Sequence, residues 1–191
     1  MEKFLASFVF LSLVSGCATY FDPFDEYARG LRWFDRGAFD QAKDHWMVLA
    51  NRGDCDAQFR LGTLYFLGAG VPQSDETARQ WLFAAANQGQ AFAQVLLGVI
   101  HAHDTASIST VARTVTFDCS QGCGVEKNAV EAYKWASLSG RFAVYDEQQE
   151  AAKNSLLRYS QSMSSEQIAE AKQRAQDWRP SPSQCEQRKL L

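Results

Sequence analysis

Parts of this chain repeat at fixed intervals, and a chain built that way has to stack its units rather than close one core. Ala57-Gln58-x-x-Leu61-Gly62 returns as Ala93-Gln94-x-x-Leu97-Gly98, 36 residues on; Gly53 returns as Gly89 and Ala42 as Ala78 at the same interval. Gly68-x-Gly70-Val71 returns as Gly122-x-Gly124-Val125, and Ala78-x-x-Trp81 as Ala132-x-x-Trp135, at 54. The second interval is longer by 18 residues, which marks an insertion in the third copy. Self-similarity at such a period signals repeats that each bury an apolar face against a neighbour.

The unit reads as two helices joined by a glycine turn. Ala57, Leu61, Leu64 and Tyr65 fall on one helical face, and Asp54 and Asp56 precede them, where carboxylates suit the positive helix end. Gly68-Ala69-Gly70 stops that helix and Val71-Pro72 turns the backbone away from helical dihedrals. Ser74 or Asp75 can cap a second helix that turns Ala78, Trp81, Leu82 and Ala85 inward.

The pattern of Ala50, Gly53, Asp54, Ala57, Gln58, Leu61, Gly62, Tyr65, Gly68, Gly70, Val71, Ala78, Trp81, Ala85 and Gly89 resembles the Sel-1-like repeat, a relative of the tetratricopeptide repeat. In the next copy Gly98, Gly122, Gly124 and Trp135 keep their places, His101 stands where Tyr65 stood, and Gly140 is the expected closing glycine. The resemblance implies an all-α fold: a right-handed α-solenoid of about four stacked helical hairpins over 24–179, with an insertion at 104–121 in the third.

In chain order, helices are expected at about 24–36 and 39–51, then the hairpin 54–88, then 90–103, 127–139, 142–160 and 164–178. Ser164 and Gln167 stand in a capping-box relation. Residues 163–180 resemble the terminal capping helix of many Sel-1-like proteins. Ile108 to Phe117 is dense in Thr, Val and Ile, which favours a short β-hairpin or an ordered loop over helix. Pro180 opens a tail, 180–191, expected to be mobile.

The first 16 residues differ in kind. Lys3 precedes an apolar run from Phe4 to Val14, too short to span a bilayer, and Val14-Ser15-Gly16 leads into Cys17. Small residues before that cysteine resemble the bacterial lipobox. The resemblance implies a signal peptide at 1–16, diacylglycerylation of Cys17 and a short tether at 17–23. Ala18 after the cysteine points to an outer membrane's periplasmic face. A net charge of −3 without a basic cluster argues against nucleic acid as a partner.

Four cysteines then remain. Exported chains meet an oxidising compartment. Cys119 and Cys123 lie in a turn within a hairpin, whereas Cys55 begins a hairpin's first helix, at the other end of elements about 20 Å long. The expected pairing is Cys119–Cys123, with Cys55–Cys185 as the second candidate. His101, His103, Cys119 and Cys123 together offer zinc-type ligands, but the CxxxC spacing departs from the common knuckle and positions 101 and 103 diverge on a helix.

No nucleophile, phosphate-loop or zinc-protease motif is present in the sequence. The expectation is a non-enzymatic, cofactor-free, membrane-tethered scaffold that holds a protein or peptide partner in the groove formed by successive first helices, with the insertion as a further contact. The alternatives are a metal-dependent factor built on His101, His103, Cys119 and Cys123, and a peptidoglycan-binding envelope protein.

Overall fold

The computed structural model describes residues 23–109 and 114–181. Among them are α1 (Pro23–Asp35), α2 (Phe39–Ala50), α3 (Cys55–Leu67), α4 (Asp75–Asn87), α5 (Ala91–Ala102), β1 (Thr105–Ser109), β2 (Thr114–Asp118), α6 (Ala129–Phe142), α7 (Asp146–Ser160) and α8 (Ser165–Asp177). Consecutive helices pair as α1/α2, α3/α4 and α5/α6, and each pair packs on the next, which is an all-α solenoid of hairpins. None of the described helices is long and apolar enough to cross a membrane.

Repetition in the sequence is repetition of contacts. Gln58 Nε2 donates to Ala50 O at 3.2 Å and Gln94 Nε2 donates to Ala86 O at 3.0 Å, so each first helix is stapled to the end of the preceding second helix. The same two carbonyls accept Gly53 N–H and Gly89 N–H, both at 3.0 Å. Asp54 caps α3 through Ala57 N–H, and Gln90, 36 positions on, caps α5 through Ala93 N–H. Ser74 and Asn128 cap α4 and α6 in the same way; such a cap contributes on the order of 1 kcal/mol.

Two glycines set how closely the helices of a pair approach. A Cβ on Gly62 would stand 2.7 Å from Leu82 Cγ and 3.2 Å from Ala78 O, and one on Gly98 would stand 3.3 Å from Ala132 O. Gly30 plays this part in the first pair, against Trp46. Trp46 follows Gly30 by 16 positions and Leu82 follows Gly62 by 20, so the first pair is the same unit with a turn four residues shorter. Its core is aromatic: Trp46 is fully buried between Tyr27 and Phe34.

The last two helices depart from the expected fourth hairpin. Both α7 and α8 pack on α6. The reason lies at Gly140. It does not close α6 as Gly89 closes the previous pair; α6 runs through it to Phe142. A Cβ there would meet Ala152 Cβ at 3.3 Å, so Gly140 is a close-packing position for α7 rather than a turn. Ala171 and Ala175, both buried, seat α8. The capping box of α8 is present: Gln167 N–H donates to Ser164 Oγ at 3.3 Å and Ser164 N–H to Gln167 Oε1 at 2.9 Å.

Candidate functional site

The first helices α1, α3 and α5 meet through single side chains. Arg60 Nε donates to Tyr27 Oη at 3.1 Å, with its guanidinium 5.7 Å from the Trp46 and Phe59 ring centroids. Phe59 stacks on Phe92 at 5.8 Å, and Gln90 Nε2 donates to Asp56 Oδ1 at 3.3 Å. Burial raises the Tyr27 phenol above its ordinary 10.0 despite the adjacent Arg60. The groove expected along α3 is therefore filled: Asp56, Phe59, Arg60 and Thr63 are all buried. A cation and a carboxylate on an inward face were not legible in the repeat pattern. The signal was Arg60 itself, a charge set between Phe59 and Leu61. Partly exposed apolar groups lie on α5, at Phe92 and Val95, and on α1, at Trp33 beneath Arg36.

The insertion leaves the stack between α5 and α6 as an antiparallel two-stranded sheet, with Ala106 opposite Phe117 and Ser107 opposite Thr116. One face is anchored. Phe117 is 2% exposed and lies 5.0 Å from Phe66 between ring centroids. On the other face Ser107 and Thr116 are exposed and share a hydroxyl hydrogen bond at 3.2 Å. The base is fixed twice. Cys119 and Cys123 form a disulfide with Cα atoms 5.1 Å apart, and Cys119 N–H donates to Asp104 O at 2.9 Å. The sheet has two strands, so among the described residues the outer edge of each carries no further ladder.

This geometry removes the four-ligand metal reading. A disulfide leaves Cys119 and Cys123 no thiolate to donate. His103 is the left-handed C-cap of α5, and its Nε2 donates to Val125 O at 2.8 Å, which pins the glycine turn to the helix end. No group of three or more candidate ligands occurs among the described residues. His45 bonds Glu26 of α1 at 2.7 Å and joins the first pair. Of the other cysteines, Cys55 is buried and disulfide-bonded, whereas Cys17 and Cys185 lie outside the described residues.

The third pair carries the densest charge. Glu131 receives Lys134 at 2.5 Å and Arg174 of α8 at 2.8 Å. Burial pushes its carboxyl up, but those cations outweigh it and hold the group below its ordinary 4.5. Burial pushes the nearby His101 below 6.5, and its Nδ1 is buried with no hydrogen-bond partner among the described residues. The cluster ties α8 to α6 and suits an end cap.

The repeat-defining residues occupy the joints already described. Gly70 and Gly124 adopt φ of +69° and +70° and lie directly on the preceding pair: a Cβ would reach Asp40 N at 2.5 Å in one case and Arg79 Nη1 at 2.7 Å in the other. Arg79 Nη1 in turn donates to Cys123 O and Gly124 O, both at 3.1 Å. Trp135 is buried, with Lys134 over its ring and Phe83 against its edge.

A family model described as the Sel1 repeat matches residues 55–90 and 119–141, which are the second pair and the turn and second helix of the third. Among solved structures, the chain is similar to c5321, a protective antigen present in uropathogenic Escherichia coli strains and displaying an SLR fold. The TM-score is 0.65 at 23% identity, over 82% of this chain and 30% of that one. It is also similar to a Sel1 repeat protein from Oxalobacter formigenes, with TM-score 0.52 and 24% identity, over 76% of this chain and 55% of that one. The chain thus spans 30% of the length of the first and 55% of the second, and the likeness is one of fold. No curated protein matches it. Sel1 repeat folds are commonly protein–protein interaction scaffolds and typically non-catalytic. The matched segments coincide with the stapled, glycine-fitted helix pairs, and over them the chain carries Sel1-like repeats.

Proposed function

We propose that this protein is a non-catalytic adaptor, lipid-anchored through Cys17 in the cell envelope and facing the periplasm. It binds an extended segment of a protein partner at the insertion hairpin, continuing onto the rim of the first-helix groove. The observation that carries the reading is the hairpin itself. It is held rigidly by Phe117 and the Cys119–Cys123 bridge, yet presents outer strand edges. Native proteins guard such edges with lysine, proline or bulges. Here Thr105–Ser109 and Thr114–Asp118 hold neither lysine nor proline, and Asp118 is their one charge. An unguarded, pre-formed edge is the geometry that accepts an added strand, with backbone hydrogen bonds supplying affinity.

The lipid anchor rests on the Val14-Ser15-Gly16-Cys17 pattern. The test is in-cell crosslinking and pull-down of the chain beside a Thr116→Lys variant. One dominant partner, lost in the variant while helical content is unchanged, supports the reading. A partner retained at full yield moves the contact to the groove, and no reproducible partner in either sample ends the adaptor reading. Radiolabelled palmitate incorporation that survives Cys17→Ser would end the anchor assignment.

A further inference from the structure

The ends of three helices meet around a small cleft that stacking alone does not require. About 210 Å³ opens between Asp104 after α5, Lys127 and Ala129 at the start of α6, and Arg158 and Tyr159 at the end of α7. Folding leaves two polar atoms there without a bond. Tyr159 is 6% exposed, and its Oη has no hydrogen-bond partner among the described residues. Its polar surroundings are Ser155 of the same helix and Asp104, and burial raises the phenol above its ordinary 10.0, so it stays a donor. Asp104 Oδ2 is likewise buried without a hydrogen bond and is held by ion pairing to Arg158 Nε at 3.1 Å. An unpaired buried hydroxyl is destabilising, and a ligand that pairs it recovers the loss.

The rest of the lining is cationic. Lys127 is exposed and enters no ion pair among the described residues. Arg158 meets Asp104 through Nε, and a guanidinium carries further donors beyond that contact. Two cations against one carboxylate leave the lining net positive. Helix α6 adds its positive end. The first N–H groups of a helix have no acceptor within it; Asn128 Oδ1 takes Glu131 N–H at 3.0 Å, and Ala129 borders the cleft.

We propose that this cleft binds a carboxylate on a group of amino-acid size, held by Lys127, Arg158 and the first N–H groups of α6, with Tyr159 Oη donating to it. Helix N-termini take anions in this way, and the surplus positive charge selects an acid over its amide. Asp104 immediately precedes Thr105 of β1, and its carbonyl accepts Cys119 N–H. The occupied site therefore braces the base of the hairpin. A free small acid and the C-terminus of a peptide share this chemistry.

Amide nitrogen-15 spectra of the full chain, titrated with acetate, acetyl-dialanine and acetyl-dialanine amide, test the site. Acetyl-dialanine should shift the Ala129 and Val130 amides saturably, and its amide should not. Lys127→Ala should weaken binding roughly fivefold, the scale of one exposed charge contact. Tyr159→Phe keeps the ring and should also weaken binding, while the unliganded fold is as stable or more so. A tyrosine that only packs would leave affinity unchanged. Acetate binding as well as acetyl-dialanine identifies a free small acid as the ligand; a much tighter acetyl-dialanine identifies a chain terminus. No saturable shift with either acid, equal shifts from acid and amide, or full affinity in both variants overturns the proposal. These readouts need no partner protein, so they stand or fall separately from the adaptor reading.

Discussion

Gln94 donates its Nε2–H to Ala86 O at 3.0 Å across the joint between the second and third helix pairs, while its Oε1 is buried with no hydrogen-bond partner among the described residues. In the previous copy the corresponding Gln58 is satisfied at both ends, because Gln88 Nε2 donates to its Oε1 at 2.8 Å. The position equivalent to Gln88 is Phe142, whose ring lies against Gly89 and edge-on to Trp178. The stack has exchanged a polar staple for an aromatic contact with the segment that follows α8.

Gln94→Met should therefore be mild and Gln94→Ala costly. Methionine keeps the volume and removes the orphan acceptor with the donor, for a loss within about 1 kcal/mol; alanine leaves a void beside Ala86 O and should cost about 2–3 kcal/mol. Urea unfolding of the two variants measures the difference. Equal losses would show that the unsatisfied oxygen carries no penalty.

Gly62→Ala and Gly98→Ala separate by how hard the new methyl is pressed. At 62 it would meet Leu82 Cγ at 2.7 Å and must displace it; at 98 its nearest neighbour is Ala132 O at 3.3 Å. We expect about 2–3 kcal/mol for the first and about 1 for the second, with Leu82→Ala partly rescuing Gly62→Ala. Melting temperatures of the single and double variants decide it.

Removing the bridge at the hairpin's base by Cys119→Ser with Cys123→Ser should cost about 2 kcal/mol, the entropy of so short a loop. Phe117→Ala should cost more, about 3 kcal/mol or above, because it empties a buried aromatic site. Calorimetry of each variant ranks the two, and the reverse order would mean that the hairpin is held by its bridge rather than by Phe66.

Stability should fall on acidification in two stages. His101 lies below its ordinary 6.5 because burial disfavours the charged ring. The unfolded chain thus takes up its proton first, and stability drops as pH falls through and below about 6.5. Glu131 is held below 4.5, so its contribution is intact above that value and lost as pH falls through the lower folded one. A His101→Gln variant should lose the first stage and keep the second in denaturation midpoints taken from pH 7 to 3.

Much of the architecture was visible in spacing, since period and contact are one thing here: glutamine staples, caps and glycine approaches recur at the intervals of their residues. The insertion's Thr, Val and Ile content likewise anticipated strands. The last pair was misread at Gly140, because a glycine demanded by close packing and one demanded by a turn look alike as letters; only the flanking helix tells them apart. Arg60 was missed for a related reason. A solenoid face is assigned by periodicity, and periodicity cannot say what else lies over that face.

The 18-residue excursion leaves and re-enters the stack between two fixed joints, the Gln94–Ala86 staple before it and the Gly98–Ala132 approach beneath it. Neither joint depends on how far the chain travels in between, given that the shorter turn of the second pair connects the same geometry. This site is accordingly a socket: strands of another length or sequence can be plugged in there, and the recognition surface can change while the rack that holds it keeps its dimensions.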